Sequence, residues 1–132
     1  MSSTDVVKAL YAAFGSGDMP TVLGLLDPQI LWREAEGSPY NSGDAWVGPD
    51  AVVENLFAKI GEDWAEFTVH PSLFHEAGSI VTVEGRYAAK HNGTGKEMDC
   101  QVCHVWTVEN QKITKFQQYV DTAKLQEVMG VS

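Results

Sequence analysis

The residues that could do chemistry begin with CQVCH, residues 100–104, which spell the attachment signature of c-type haem. The segment lies in a run of alternating apolar and polar residues, which predicts a β-strand. Residues three apart on a strand point to opposite faces, so Cys100 and Cys103 cannot both reach one haem or metal ion. No second CxxC and no histidine pair completes a zinc site. We therefore expect two free thiols, no metal and no cofactor.

A second candidate is the carboxyl group of Glu34 in the segment QILWREAE. Period-two alternation places Trp32 and Glu34 on one face of a strand. A carboxyl group beside an indole in an apolar pocket has a raised pKa, which suits a general base. The competing interpretation is a surface glutamate, because Arg33 and Glu36 are solvated neighbours. The sequence leaves both open.

Two other titratable residues near the end of the chain are candidates. His104 could be a general acid or base, or could orient a polar ligand, if its strand face looks into a pocket. Asp121 could be a catalytic acid, but it also stands where it would cap a final helix over TAKLQE. We keep His104 and Asp121 beside Glu34 as candidate catalytic residues.

Large aromatic residues could form the wall of a ligand pocket. Ordinary core packing explains most of them equally well. Tyr40 and Trp46 differ, because they belong to the turn-rich loop GSPYNSGDAWVG, which we interpret as a lid or pocket rim. The candidate aromatic ligand-binding residues are Trp32, Tyr40, Trp46, Phe57, Trp64, Phe67 and Tyr87.

The elements that must position these residues follow an α+β order. Helical spacing predicts a helix behind Ser3 and Thr4, a short second helix capped by Asp18, and a third helix opening at Gly48. Period-two patterns predict strands over residues 67–76, 79–91, 97–108 and 112–120, after the strand that carries Glu34. Helices first and sequential strands later indicate an antiparallel sheet with helices packed on one face. We expect residues 1–132 to form one domain.

Composition narrows the class of partner. The 132 residues carry a formal charge of −9 with 44% hydrophobic residues, which is typical of a globular protein. An acidic chain without a basic run argues against nucleic acid and against an anionic membrane surface. The first residues lack the pattern of a secretory signal, so we expect a cytoplasmic protein.

Two segments carry a resemblance to a known family. GDMPTVLGLLDPQILW matches a run of Gly-Asp, helix, acidic-Pro and strand, and HVWTVENQKITKFQQYVDT matches an ending of H-x-W, turn, K-I, strand and Y-x-D. The chain resembles SnoaL-like, ketosteroid-isomerase-related proteins of the nuclear-transport-factor-2-like superfamily. The resemblance implies a curved antiparallel sheet wrapped around N-terminal helices, forming a cone with a central pocket.

The resemblance also implies roles for particular residues. In ketosteroid isomerase a carboxylate base faces an oxyanion hole made of a tyrosine and a protonated aspartic acid. Aligned by the Gly-Asp, the base falls on Glu34 and the tyrosine falls on Leu10, with Tyr11 one position away. Aligned by the late hairpin, the aspartic acid falls on Cys103. The base is kept, and the two oxyanion donors are not.

If Cys103 faces the pocket, strand parity turns His104 and Trp106 outward, where they and Arg86 would form a homodimer interface. A β-bulge would reverse this arrangement. A two-residue turn at 110–111 would place Gln118 opposite Cys103, and its amide could bind a substrate carbonyl. We therefore count Cys103 and Gln118 among the candidate ligand-binding residues.

The expected ligand is a small apolar or polyketide-like molecule. One hypothesis is a cofactor-free isomerase, cyclase or dehydratase in which Glu34 abstracts a proton and Tyr40, His104 or Gln118 steadies the oxygen. The other is a binding module that holds a hydrophobic ligand without chemistry. An epoxide hydrolase with Glu34 or Asp121 activating water is a lesser variant, because the chain lacks a matching Asp-Arg-Asp constellation.

Overall fold

One curved sheet, flanked by helices, organises the protein. In the computed structural model, which describes residues 1–131, the helices are α1 (Ser3–Ser16), α2 (Met19–Leu25), α3 (Pro49–Val52), α4 (Ala58–Asp63) and α5 (Thr122–Met129), with a π-helical turn (Val53–Phe57) between α3 and α4. The strands are β1 (Leu26–Arg33), β2 (Trp46–Val47), β3 (Trp64–Ala77), β4 (Ile80–His91), β5 (Glu97–Glu109) and β6 (Lys112–Val120). The predicted α+β class is confirmed. Within residues 1–131, no helix is both long and apolar enough to span a bilayer.

The sheet has the strand order β2-β1-β6-β5-β4-β3 and is not closed into a barrel. Strands β3 to β6 form an antiparallel meander, whereas β1 pairs with β6 in parallel. The register between β3 and β4 shifts twice, and such bulges bend and twist long strands. At one bend, a Cβ added to Gly85 would lie 2.6 Å from the carbonyl oxygen of His70. A glycine is therefore required at this position, where the backbone of β3 lies too close for a side chain.

The first helices begin and end largely as their sequence predicts. Ser2, one residue before the predicted caps, begins α1 and forms a capping box with Asp5. Gly17 ends α1 in a left-handed conformation, with φ of 70°. The side chain of Asp18 then accepts a hydrogen bond from Thr21 N and caps α2, as predicted. Both helices are therefore fixed by local signals.

The third predicted helix is interrupted by the π-helical turn. Val52 and Leu56 are buried on its inner side. The extra residue of a π turn changes which side chains point inward. Here Leu56, Phe57 and Ile60 all line the same internal cavity.

The hairpin between β5 and β6 contains a β-bulge whose position the sequence did not predict. Asn110 and Gln111 have φ of 51° and 64°, as expected for the predicted two-residue turn. The register then shifts next to Thr107, because β6 has an extra residue there. Beyond this bulge Gln118 pairs with His104, and the expected pairing with Cys103 is wrong.

The side chains of β5 point to the faces opposite to those that the resemblance implied. Cys100, His104 and Trp106 are buried on the inner face, whereas Cys103 lies on the outer face and is half-buried. The prediction that the two free cysteines point to opposite faces is confirmed. The proposed interface loses its basis in His104 and Trp106, since only the exposed Arg86 of that group lies outside. The homodimer itself stays a prediction.

Candidate active site

An internal cavity of about 390 Å³ lies between the concave face of the sheet and the helices. Helix α1 packs across β3, β4, β5 and β6 and covers one side of it. Most of the lining is aliphatic or aromatic, and the polar lining side chains are Tyr11, Glu34, Ser38, Tyr40, Thr68, Tyr87, His104 and Gln118. A mostly apolar cavity of this size with a few polar groups suits a small organic ligand.

Glu34 follows the last residue of β1 and is 5% exposed, so the surface alternative is wrong. The indole Nε1 of Trp32 donates a hydrogen bond to Glu34 Oε2 at 3.2 Å. Burial raises the pKa of Glu34 to about 7, while hydrogen bonds from Trp32 and Gln118 act in the lowering direction. A carboxyl group with this pKa can lose and regain a proton near neutral pH.

His104 lies at the middle of the sheet and faces the cavity. The hydroxyl of Tyr11 is 2.7 Å from Nδ1 of His104, and the hydroxyl of Tyr87 is 2.7 Å from Nε2. Desolvation lowers the pKa of His104 to about 3, because burial disfavours the imidazolium. Burial likewise raises the pKa of Tyr11 and of Tyr87 above the ordinary value. All three groups are therefore neutral at neutral pH.

Gln118 connects the histidine to the region around Glu34. Its Nε2 donates to the hydroxyl of Tyr87 at 2.8 Å, and its Oε1 accepts from Ala35 N at 3.2 Å. The negative charge of Glu34 also contributes to the raised pKa of Tyr87. Gln118 and Tyr87 thus form one polar wall of the cavity between Glu34 and His104, and the charge of Glu34 acts on Tyr87.

Tyr40 lines the cavity from the loop between β1 and β2, as the rim interpretation predicts. Its hydroxyl donates to Asp63 Oδ2 at 2.7 Å and accepts from Trp64 Nε1 at 2.9 Å. Burial raises the pKa of Tyr40, as does the hydrogen bond to Asp63. The hydrogen of Tyr40 is therefore engaged with Asp63, which leaves this hydroxyl poorly suited to donate to a ligand.

Six of the nine predicted ligand-binding residues line the cavity, and three do not. Those inside are Trp32, Tyr40, Phe57, Phe67, Tyr87 and Gln118. Trp46 instead forms the short strand β2 opposite Trp32 in the register. Trp64 is buried in an apolar cluster with Tyr87 and Leu125 but does not itself line the cavity. Cys103 is outside because it has the opposite parity to His104 on β5.

Asp121 is corrected from a candidate catalytic residue to a helix cap. Its side chain accepts a hydrogen bond from Lys124 N at the start of α5, and the residue is exposed and outside the cavity lining. Residues of this type at this position satisfy the free backbone donors of the first helical turn. Glu34 and His104 remain as the predicted catalytic residues that lie in the cavity.

Sequence reasoning missed Tyr11 as a member of the site. The resemblance placed an oxyanion tyrosine on Leu10, which is fully buried in the core, and the cavity instead receives Tyr11. It likewise placed an oxyanion donor on Cys103, where the cavity receives His104. A tyrosine in the apolar stripe of α1 was the available signal, because a buried tyrosine hydroxyl needs a polar partner.

The fold and its cavity place the protein in a known class. A family model described as the SnoaL-like domain matches residues 7–116, so the chain belongs to the SnoaL-like family. No curated protein matches the chain significantly. The predicted family is therefore confirmed.

Solved structures with the same fold cover nearly the whole chain. An NTF2-like protein from Burkholderia thailandensis is 32% identical over 98% of both chains, with a TM-score of 0.92. An NTF2-like protein of unknown function from Burkholderia pseudomallei is 30% identical over 98% of both chains, with a TM-score of 0.88. TerC, which was co-crystallised with polyporic acid, is 24% identical over 97% of this chain and 98% of its own, with a TM-score of 0.86.

Proposed function

We propose that this protein binds a small, largely apolar carbonyl compound in its internal cavity and acts on it by acid–base chemistry without a cofactor. Glu34 is the general base that removes a proton from the carbon next to the carbonyl group. Isomerisation, cyclisation and dehydration can all begin with that step, in which negative charge develops on the carbonyl oxygen. The proposal names the reaction type and leaves the particular substrate open.

The observation that carries the proposal is the position of Glu34. Its carboxyl group is 5% exposed, borders an apolar cavity and accepts a hydrogen bond from Trp32. Burial raises the pKa of Glu34 to about 7, close to the value at which the product of the fraction of free base and its strength is greatest at neutral pH. Structural glutamates have little need for such a position, because buried carboxyl groups are costly.

The donor to the developing oxyanion differs from those predicted from the sequence. The hydrogen of Tyr40 is engaged with Asp63. The Gln118 amide donates to Tyr87, accepts from Ala35 N and also acts as a donor toward the carboxyl group of Glu34. A neutral His104 has both ring nitrogens occupied by tyrosine hydroxyls. A hydroxyl of Tyr11 or Tyr87 is therefore the group best placed to donate to a ligand oxygen.

The ligand class follows from the lining and the volume. Phe57, Phe67 and Phe116 contribute aromatic surface to a cavity of about 390 Å³. Such a lining favours a compact apolar or aromatic skeleton with few polar atoms. TerC, a protein of the same fold, was co-crystallised with polyporic acid. A polyketide-like ketone is thus a reasonable substrate class for this chain.

Hydrogen–deuterium exchange tests the proposed step without knowledge of the natural substrate. The wild type should accelerate loss of the protons next to the carbonyl of 1-indanone in D2O, followed by proton NMR. Glu34→Gln should reduce that acceleration by roughly 10²- to 10⁴-fold, the usual contribution of a general base. Glu36→Gln is the matched control, since the same change is made two residues away at an exposed position.

A non-catalytic binding module is the second candidate. Among the described residues, every fully buried side-chain nitrogen and oxygen has a hydrogen-bond partner, as expected of a cavity that needs no ligand for its stability. If a panel of ketones binds, and the wild type exchanges their protons no faster than Glu34→Gln does, the binding module is correct and the enzyme proposal fails.

A further inference from the structure

The hydroxyls on either side of His104 each accept a second hydrogen bond. The indole Nε1 of Trp106 donates to the hydroxyl of Tyr11 at 2.9 Å. On the other side, Gln118 Nε2 donates to the hydroxyl of Tyr87 at 2.8 Å. An indole N–H and an amide NH2 can only donate, so each tyrosine oxygen acts as an acceptor there.

The orientation of the Gln118 amide is fixed by its other end. Its Oε1 accepts a hydrogen bond from the backbone N–H of Ala35, which is a donor in every protonation state. The NH2 group must therefore face Tyr87. Trp106 and Gln118 therefore always donate to the two hydroxyls. In this hydrogen-bonded array, which runs from Trp106 through Tyr11, His104 and Tyr87 to Gln118, only the protons of the imidazole and of the two hydroxyls can be rearranged.

Counting those protons leaves one hydroxyl hydrogen without an acceptor in the array. A neutral imidazole has one N–H and one bare nitrogen. If Nδ1 of His104 carries the proton, it donates to Tyr11 and the hydroxyl of Tyr87 donates to Nε2, so the hydrogen of Tyr11 is free. If Nε2 carries the proton, the arrangement is reversed and the hydrogen of Tyr87 is free.

Both hydroxyls belong to residues that line the same cavity. We propose that His104 is a positioning residue whose tautomer selects which hydroxyl, that of Tyr11 or that of Tyr87, donates to an acceptor oxygen of the ligand. The two tyrosines then act as alternative donors and not as a simultaneous pair. The inference deepens the proposed function and rests on it for the ligand class, a compound with an acceptor oxygen at this end of the cavity.

The groups around the ring keep His104 neutral, as this selection requires. Aromatic rings of Tyr11, Tyr87, Trp106 and Phe116 surround it. Tyr11 and Tyr87 are the titratable groups in direct contact with its nitrogens, and burial raises the pKa of both. Burial also lowers the pKa of His104 itself to about 3. An imidazolium, which would donate from both nitrogens and free both hydroxyls, is absent near neutral pH.

Removing one hydroxyl should lock the tautomer. In Tyr11→Phe, Nε2 should carry the proton and donate to Tyr87, because the alternative leaves a buried N–H unpaired. The hydrogen of Tyr87 then remains available to the ligand. In Tyr87→Phe, the proton should move to Nδ1 and the hydrogen of Tyr11 should remain available. The two single variants are therefore expected to have opposite tautomers.

The test combines nitrogen-15 NMR of labelled histidine with binding of two matched probes, 1-indanone and its hydrocarbon analogue indane. Each single variant should keep the wild-type ratio of ketone to hydrocarbon affinity within about threefold, since one donor remains. The double variant Tyr11→Phe/Tyr87→Phe should lower that ratio by roughly tenfold, the effect of losing a hydrogen bond. The single variants should show opposite protonated nitrogens on His104.

The inference would be overturned if His104 had the same tautomer in the two single variants. It would also be overturned if one single variant lowered the ratio of ketone to hydrocarbon affinity as much as the double variant does. If a variant does not fold, the nitrogen-15 spectrum of the wild type keeps the inference falsifiable, because a doubly protonated His104 at pH 7 would overturn it. These readouts do not require turnover. Opposite tautomers without any Glu34-dependent deuterium exchange would reject the enzyme proposal alone, and exchange with identical tautomers would reject this inference alone.

Discussion

Glu34 and His104 occupy opposite ends of one polar wall and respond to burial in opposite directions. Each residue is 5% exposed. Burial raises the pKa of Glu34 to about 7 and lowers the pKa of His104 to about 3, because the neutral form of one is protonated and that of the other is not. The same physical cause therefore gives one group that can exchange a proton near neutral pH and one that stays neutral.

Glu34 and His104 also differ in where they lie in the fold. Glu34 stands just beyond the end of β1, where it borders both the cavity that contains His104 and a second pocket of about 600 Å³. His104 lies inside β5, paired with Val83 on one side and Gln118 on the other. The deuterium exchange expected of Glu34 requires that its carboxyl group can exchange a proton with solvent, which suits the strand end. A tautomer selector must be held in place, which suits the sheet centre.

The largest effect that tests this comparison is the acid sensitivity caused by His104. Its pKa is depressed in the folded state, so its contribution to stability is present above about 6.5 and is lost as pH falls toward 3. A shift of that size corresponds to about 5 kcal/mol at the acid limit. His104→Gln keeps a neutral donor and acceptor but cannot titrate. Relative to the wild type, its free energy of unfolding should therefore improve steadily as pH is lowered.

Urea unfolding at a series of pH values measures this difference over the range in which both proteins fold. His70→Gln makes the same chemical change at an exposed position of β3 and serves as the control. A constant difference between His104→Gln and the wild type from pH 6.5 downward would show that folding does not lower the pKa of His104. The contrast with Glu34 would then be lost.

The next largest effect concerns Glu34, whose contribution to the free energy of unfolding depends on pH in the opposite direction to that of His104. Because its pKa is raised by folding, its contribution to stability is fully present below about 4.5 and is lost as pH rises through about 7. Glu34→Gln mimics the protonated form, so it should equal the wild type near pH 4 and be more stable at pH 8. The expected gain is about 3 kcal/mol.

The same urea series measures this gain, with Glu36→Gln as the matched surface control. An equal stability of Glu34→Gln and wild type at pH 8 would mean that the carboxylate is well solvated in the native state. That result would contradict a raised pKa for Glu34. A gain in stability together with loss of deuterium exchange into the ketone is instead the usual trade-off at an active site.

Local patterns were sufficient to predict most of the fold. The strands β4, β5 and β6 begin and end within one residue of their predicted limits, since alternation and turn residues mark both ends. Asp18 and Asp121 were identified as possible caps from residue type alone. For Glu34 the shared strand face with Trp32 supported an inward position but left a surface position open, and only the structure decided between them.

The pairing across β5 and β6 could not be predicted in the same way. The turn at 110–111 was correct, but one extra residue in β6 changed the partner of Gln118 from Cys103 to His104. A bulge has no clear signature in a single sequence, and shifting a strand by one residue exchanges its two faces. Alignment to the family made the same type of error at Leu10 and Tyr11, where one helical position separates the core from the cavity.

The smallest effect concerns Asp121, a carboxylate outside the wall that joins Glu34 and His104. Asp121→Ala should cost about 1 kcal/mol by urea unfolding, because it removes the cap of α5. Asp121→Asn keeps a capping side chain and should stay within about 0.5 kcal/mol of the wild type. Neither change should alter deuterium exchange into 1-indanone. If both variants lost deuterium exchange while Asp121→Asn kept its stability, the carboxylate of Asp121 would take part in the chemistry. Burial would then no longer distinguish the carboxyl groups that react from those that only stabilise the fold.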